Sequence, residues 1–440
     1  MCDYLKPLAG RPVLRLRAGV PCRWSVRTRD GRGWCPPGTV PAHDLDGLPY
    51  FHGDDLVLAV PGEPVTVRAA RGPEHASVET TLLPCPGETL VELTPPRLYD
   101  AAARGWYGAD LHVPLNRPAG WVAAAQHGED LHVINLVAHD GETLDHWAGR
   151  DLPWSDGAHV ARVDLVHQVR GLGAWPLTPE TLRAVRDRGA LAAYANPCAG
   201  PAETADQLMS GGDAGGDARL AVVDAALGLV DGFSSAIGSP AAYRRLIGAG
   251  NRIGATGGGT RRLGPIGRER TYARVDGRLT AGAYARAVRR GHTFVTTGPF
   301  LELEVDGRGP GATLDLRPGG TVRVTARVLG EGAERVRLLT ADGELASGPA
   351  GASADGLDAC LPVVWPTYVV AVAEGGGGRV VAHSSPVYLD VCHRRVAREE
   401  DVTFCLRWLD LLEKQVRDRV AEDVLEVVEE ARRVYLARLR

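Results

Sequence analysis

The fold of this chain is decided by residues 104–140, which read RGWYGADLHVPLNRPAGWVAAAQHGEDLHVINLVAHD. The apolar residues at 111–113 and 134–137 predict two short buried strands, and each is accompanied by histidines and carboxylates. When such strands are parallel, the polar side chains at their ends point into a common cleft, which is how metal sites are built on α/β barrels. The segment therefore predicts a parallel sheet or barrel with a polar site.

Histidine is concentrated around this segment. Seven of the thirteen histidines lie between positions 112 and 167, although a histidine-rich surface would show the same composition. They are His112, His127, His132, His139, His146, His159 and His167.

The chain divides into four regions when the pattern is followed outward. Residues 1–103 contain short alternating segments between Pro, Gly and Asp turns, which predict a β-sandwich module. Residues 104–299 alternate apolar strands with helical stretches that end in glycine, a pattern typical of a mostly parallel sheet or barrel. The β pattern returns in residues 300–395 and predicts a second β-sandwich. Residues 396–440 lack Gly and Pro and repeat apolar residues every three or four positions, which predicts amphipathic helices.

The amino-acid composition argues against several classes of binding partner. A net charge of −4 argues against a nucleic-acid partner, and no apolar run reaches the eighteen residues that suggest a membrane span. The eight cysteines form no CxxC pair, which disfavours a disulfide framework and a structural zinc site and favours buried free thiols. We therefore expect a soluble cytoplasmic protein.

Six motifs, in order along essentially the whole chain, resemble those of the CehA/McbA metallohydrolase family, relatives of the PHP domain. This resemblance implies an α/β fold, a distorted PHP-type α/β barrel flanked by N- and C-terminal β-sandwich modules with a helical C-terminus. It also implies hydrolysis of a small-molecule ester, carbamate, amide or phosphoester. The motifs are RGPEH (71–75), RGWYGADLHV (104–113), GEDLHVINLV (128–137), GPIGRERTYARVDG (264–277), RRGHTFVTTGPFLELEVDG (289–307) and AHSSPVYLDV (382–391).

The chain departs from the family pattern at the metal ligands. Where the family reads D-L-H-V-H, this chain has Pro114 in place of the second histidine. His139 keeps the histidine of the T-D-H motif, whereas the G-E-E motif falls on residues 157–159 and the H-P motif on Asn196 and Pro197. The late G-[ST]-D motif falls on residues 255–260, which contain no acid. The resemblance therefore implies a reduced, at most mononuclear centre.

The candidate site comprises seven residues, whose roles follow from this resemblance and from the chemistry of the residues that replace the family's ligands. One divalent ion (Zn, Mn or Fe), or none, would be held by His112, His139, Asp110 and His159. Asp110, His112 and His139 would be catalytic, Asn196 would contact the substrate, and Arg261 and Arg262 would bind an anion at the place of the lost acid.

Other interpretations of the same residues stay open. Asp110 beside His112 could act as a metal-independent acid/base pair in a cyclase, lyase or isomerase, and a non-catalytic binding protein would keep the same fold. The RGPEH and RERTY motifs could make interdomain contacts instead of a site, and His132 could be structural. The C-terminal helices could pack on the barrel or pair two copies of the chain in a homo-oligomer.

Overall fold

The computed structural model is a mixed α/β structure that ends in two long helices. The α/β class and the helical C-terminus that the sequence predicts are thus confirmed. The structure describes residues 2–3, 11–39, 41–44, 47–114, 118–137, 149–169, 172–194, 202–210, 217–234, 236–257, 265–351 and 356–439.

Ten strands at the N-terminal end form one seven-stranded and one three-stranded sheet around a shared apolar core. In the strand Cys22–Thr28, residues Cys22, Trp24 and Val26 are buried in this core, and the residues between them face the other way. We call these strands the N-terminal sheets. They are β1 Cys2–Asp3, β2 Pro12–Arg17, β3 Cys22–Thr28, β4 Gly33–Trp34, β5 Ala42–His43, β6 Pro49–Gly53, β7 Leu56–Ala59, β8 Val65–Ala70, β9 Val78–Leu82 and β10 Gly87–Glu92.

The central region alternates strands and helices, as the sequence predicts. Three of its strands, β11, β12 and β13, pair in parallel, as do the pairs β14–β15 and β16–β17. The elements are β11 Trp106–Pro114, α1 Ala119–Gly128, β12 Val133–Val137, β13 Val160–Val163, β14 Val166–Val169, α2 Pro179–Asp187, β15 Leu191–Tyr194, α3 Ala205–Ser210, α4 Ala221–Ala226, β16 Gly232–Phe233, α5 Pro240–Gly248, β17 Gly254–Ala255, β18 Arg270–Arg274, α6 Ala281–Arg289 and β19 Thr293–Thr296. Short 3₁₀ turns lie at Ala102–Arg104, Leu172–Ala174, Asp217–Leu220 and Gly376–Gly378.

The central sheet does not close on itself within the described residues. Its order is β13-β12-β11-β18-β19, and β19 pairs with β27 of the C-terminal β region, so that one eleven-stranded sheet crosses the boundary predicted at residue 300. The C-terminal strands are β20 Phe300–Val305, β21 Thr313–Leu316, β22 Gly320–Leu329, β23 Arg335–Thr340, β24 Gly343–Pro349, β25 Leu357–Val363, β26 Thr367–Gly375, β27 Arg379–Ser384 and β28 Val387–Val391.

The two C-terminal helices, α7 Glu399–Val416 and α8 Glu422–Arg438, pack their apolar faces on the central helices of the same chain. The indole Nε1 of Trp408 donates to the carbonyl of Arg219 at 2.7 Å, and the Tyr435 hydroxyl donates to the carbonyl of Val222 at 3.1 Å. None of the described helices combines the length and apolarity that a membrane span requires.

The cysteines differ in part from the expectation of buried free thiols. Cys35 is disulfide-bonded, to a partner outside the described side chains. Of the free cysteines in the described residues, Cys22 and Cys405 are buried, whereas Cys85, Cys360 and Cys392 are exposed.

Candidate functional site

Asp110 and His112 lie on β11, the strand between β12 and β18 in the central sheet. The pairing of β11 with β12 shifts between Asp110 and Val113, and irregularities of this kind re-aim side chains. Asp110 is 1% exposed, and its two carboxylate oxygens accept the backbone N–H groups of His112 at 3.0 Å and of Gly267 at 2.8 Å. The carboxylate is therefore fixed in place from two directions.

The His112 ring is fixed by a second strand. Its Nδ1 lies 3.0 Å from the amide nitrogen of Gln168 on β14. The other amide atom, Oε1 of Gln168, is buried without a hydrogen-bond partner in the described structure. A side chain that engages one ring nitrogen sets the orientation in which the other nitrogen is presented, as the outer partners of metal-binding histidines do.

The other residues predicted for this site fall elsewhere or cannot be placed. His139, Asn196, Arg261 and Arg262 lie outside the described residues. His159 immediately precedes β13, and the first residue of β13 pairs with the first residue of β12. His159 therefore lies two strands away from β11. Along the strand direction it lies roughly 10 Å closer to the amino ends of the strands than His112 does. The structure therefore does not bring His159 to Asp110 and His112. The motif alignment that suggested this ligand gave no information on which end of the strand the histidine would occupy.

His159 instead belongs to a cluster with His127 and Asp156, which we call the His–Asp–His cluster. One potential ligand atom from each of the three residues lies within 4.8 Å of the other two. His127 lies in the last turn of helix α1, and its ring centroid lies 4.4 Å from that of His159. Asp156 accepts the backbone N–H of His159 at 2.7 Å. Two imidazoles and a carboxylate are donors that zinc and related ions accept. The sequence contained no signal for this cluster beyond its density of histidines.

Charge distinguishes the two imidazoles of this cluster. Burial lowers the pKa of His127, and the neighbouring His159 lowers it further. Burial also acts to lower the pKa of His159, but the carboxylates of Asp130 and Asp156 outweigh it and raise that pKa above its usual range. The first proton therefore resides on His159, and a metal ion in the cluster would have to displace it.

The GEDLHV motif ties the central region to the N-terminal sheets. Asp130 accepts Arg71 at 2.7 Å and Arg97 at 3.3 Å, and Glu129 is buried against Arg23 at 3.0 Å and His52 at 2.9 Å. Burial acts to raise the pKa of both carboxyls. Arg23 and His52 outweigh it at Glu129, and His159 and Arg71 outweigh it at Asp130, so that both pKa values lie below their ordinary range. Both carboxylates are thus ionised members of the interdomain contact.

The RERTY motif contributes a buried arginine to the same contact. Arg270 is 0% exposed and donates to the carbonyls of Gly267 at 2.7 Å, Asp130 at 3.1 Å and Glu129 at 2.5 Å. Gly72 of RGPEH has φ +63°, and a Cβ there would lie 2.2 Å from the Glu129 carbonyl oxygen. These motifs therefore make structural contacts between regions, the alternative that the sequence left open.

His132 is a structural residue in the same neighbourhood. It is buried, its Nδ1 accepts the backbone N–H of Gly108 at 3.2 Å, and burial lowers its pKa to about 4. A neutral imidazole that accepts a backbone hydrogen bond needs no ligand to explain it.

Comparisons with known proteins do not assign the chain to a family. No model of a known protein family matches the chain, and no curated protein matches it. Among solved structures, CopC from Methylosinus trichosporium OB3b is 14% identical over 21% of this chain and 95% of its own, with a TM-score of 0.13. An engineered protein is 16% identical over 62% of this chain and 69% of its own (TM-score 0.17), and a Bacteroides uniformis β-glucuronidase is 7% identical over 87% and 58% (TM-score 0.16). Likenesses this weak carry no argument about fold or function.

Proposed function

We propose that this chain is a cytoplasmic small-molecule hydrolase of the CehA/McbA type, with its reaction centre at Asp110 and His112. The observation that carries the proposal is their fixation on one central strand, by Gly267 from the β18 side and Gln168 from β14. Reaction centres require side chains that are held before the substrate arrives. In this proposal the described strands belong to a distorted PHP-type α/β barrel.

The donor set fits one divalent ion. Asp110 offers a carboxylate oxygen and His112 an imidazole nitrogen, and His139, outside the described residues, would be the third ligand. When bound, such an ion polarises a carbonyl or phosphoryl group and activates water. The contribution of the chain is to hold the carboxylate and the ring in fixed positions, while Asn196, Arg261 and Arg262 would bind an ester, carbamate, amide or phosphoester substrate.

A metal analysis combined with single substitutions tests this proposal. We would measure bound zinc, manganese and iron by elemental mass spectrometry, and hydrolysis of an ester and carbamate panel, in His112→Ala, His159→Ala and a His167→Ala control. His167 precedes Gln168 on β14 and is the matched control, because its side chain points away from that of Gln168. We expect the unsubstituted chain to bind one equivalent of metal and to hydrolyse a substrate of the panel. Of the three variants, only His112→Ala should lose both the metal and the activity.

Two outcomes would reject the proposal. Metal that is lost in His159→Ala but kept in His112→Ala would place the ion in the His–Asp–His cluster. Full hydrolysis in His112→Ala would show that the reaction centre lies elsewhere.

One observation favours a second candidate function. Within the described ranges, no third His, Cys, Asp or Glu lies close enough to share an ion with Asp110 and His112. A metal-independent acid/base enzyme, such as a cyclase, lyase or isomerase, or a binding protein would need none. Turnover that resists a chelator but is lost in Asp110→Asn would establish the acid/base enzyme, whereas ligand-dependent stabilisation without turnover would establish the binding protein.

A further inference from the structure

A cleft of about 520 Å³ lies between the N-terminal sheets and the eleven-stranded sheet, apart from the reaction centre proposed above. One wall is the outer face of β3 and β8. The other wall consists of the segment before β18, the first residue of β27 and the turns around Gly298 and Gly332. The cleft thus lies at the junction that the RGPEH and GEDLHV motifs hold together.

The wall from the N-terminal sheets is polar because of strand alternation. In β3, Trp24 and Val26 enter the apolar core, so that Arg23, Ser25 and Arg27 all face the cleft. Arg68 of β8 pairs directly with Ser25 and adds a third guanidinium beside it.

The hydroxyl of Ser25 is an unusual feature of this wall. Its Oγ is buried and has no hydrogen-bond partner in the part of the chain that the structure describes. Buried polar groups are normally hydrogen-bonded, so a hydroxyl that lines a cavity without a partner indicates a missing ligand or water.

The opposite wall supplies two further cations, Arg268 and Arg379. The guanidinium group of neither residue makes a hydrogen bond or an ion pair with any described residue, and both side chains are exposed. The acids of the cleft are Asp44, Glu129 and Glu331, and Glu129 is already paired with Arg23 and His52.

The remaining charge in the cleft is positive. Arg27, Arg68, Arg268 and Arg379 face two acids other than Glu129, in a chain whose net charge is −4. Arg27 has only a long contact with Glu79, at 3.7 Å. Guanidinium groups present planar forks of N–H donors that match carboxylates and phosphates.

We propose that this cleft binds a small polyanion that carries carboxylate or phosphate groups. The arginines bind its charges from both walls, and the Ser25 hydroxyl donates one hydrogen bond. Tyr50, Leu48 and Leu98 provide apolar surface for the rest of the molecule.

The cleft is also connected to the candidate reaction centre. Arg268 follows Gly267, whose N–H donates to Asp110. A ligand held by Arg268 therefore lies one residue from the group that fixes the carboxylate. The binding site does not depend on the proposed hydrolysis, because the arginines and Ser25 that would bind the anion are not among the residues proposed for hydrolysis.

The test is isothermal titration calorimetry of the full chain at low ionic strength, with pyrophosphate and citrate as separate probes. The variants are Arg268→Gln combined with Arg379→Gln, Ser25→Ala, and Arg278→Gln as a control, because Arg278 is an exposed arginine outside the cleft. All substituted residues except Ser25 are exposed, so the double variant should fold normally, and its unliganded thermal midpoint verifies this.

We expect at least one probe to bind, and the double variant to weaken its binding roughly tenfold or more, since each lost charge-assisted hydrogen bond has an effect of that order. Arg278→Gln should bind as the unsubstituted chain does. The stronger probe distinguishes a phosphate from a carboxylate ligand. Failure of both probes to bind would overturn the proposal. Equal weakening by Arg278→Gln and by the double variant would also overturn it, because the probe would then respond only to the overall positive potential of the protein and not to this cleft.

Discussion

Asp224 is a fully buried carboxyl in helix α4. It accepts the hydroxyl of Tyr194 and, at 3.2 Å, the backbone N–H of Leu177. Burial raises its pKa to about 7, so that the folded chain keeps a proton that the unfolded chain loses near pH 4. The contribution of this group to stability is therefore complete below about pH 4, and it decreases as the pH rises to about 7.

Asp224→Asn should remove this pH dependence, because the amide does not titrate. Its oxygen can accept the N–H of Leu177, and its amino group can donate to the hydroxyl oxygen of Tyr194. Between about pH 5 and about pH 8, the free energy of unfolding of the unsubstituted chain should fall by roughly 2–3 kcal/mol more than that of the variant. Urea unfolding at the two pH values measures the difference, and Asp276→Asn, at an exposed carboxyl, is the control. Parallel pH profiles of Asp224→Asn and the unsubstituted chain would contradict the prediction.

Gly72 permits the close approach between RGPEH and Glu129. Gly72→Ala should destabilise the chain by more than the roughly 1 kcal/mol expected for a positive φ alone, because its Cβ would also clash with the Glu129 carbonyl. Gly31→Ala separates the two effects, since Gly31 has φ +84° but nothing within 4 Å of its Cβ. Equal losses in thermal stability would show that the contact between the regions has relaxed.

At the scale of elements, the C-terminal helices show that a local sequence pattern can be sufficient to predict a secondary-structure element and its buried face. The three-to-four spacing of apolar residues predicted them, and the structure places Leu409, Leu412 and Ala431 of that pattern at 0% exposure. The His–Asp–His cluster could not be predicted in this way. It joins the end of α1 to the loop before β13, and no periodicity relates a helix end to a loop about thirty residues later.

Trp408→Ala should destabilise the chain by about 3–5 kcal/mol, because it removes a large side chain from the core and leaves the carbonyl of Arg219 without its donor. Leu436→Ala in α8 is the control, since that side chain is 44% exposed and its loss should change stability by at most about 0.5 kcal/mol. Chemical denaturation gives both values. A small effect of Trp408→Ala would mean that α7 contributes little to the packing of the central region.

At the scale of the whole molecule, the sequence predicted a mixed α/β chain with a helical C-terminus but not the continuity of its sheet. Residues 293–296 and 379–384 pair as β19 and β27, although about eighty residues separate them. Each strand alone resembles any other buried strand, because a long-range partner leaves no local pattern. The predicted boundary at residue 300 therefore falls inside a hydrogen-bonded sheet. For the proposed reaction centre, the alternation of side chains along a strand suggested that Asp110 and His112 act together. It could not show that Gly267 and Gln168 hold them, because those residues are distant in sequence.

The continuous sheet should make the central and C-terminal β regions unfold together. We expect differential scanning calorimetry to show one transition for these regions, and residues 300–395 expressed alone to lack a cooperative transition, since their sheet loses its neighbour β19. Two resolved transitions, one of them reproduced by the isolated fragment, would contradict this prediction.

The two walls of the arginine-lined cleft differ in how they are attached. Arg268 and Arg379 lie on or next to strands of the eleven-stranded sheet, whereas no described strand of the N-terminal sheets pairs with that sheet. The N-terminal wall is held by side chains, among them Arg71 on Asp130 and Arg23 on Glu129. Separation of that wall from the sheet would break ion pairs and no strand pairing. Since salt weakens ion pairs, the cohesion of the two walls, like the attraction of an anion to the cleft, should decrease with ionic strength.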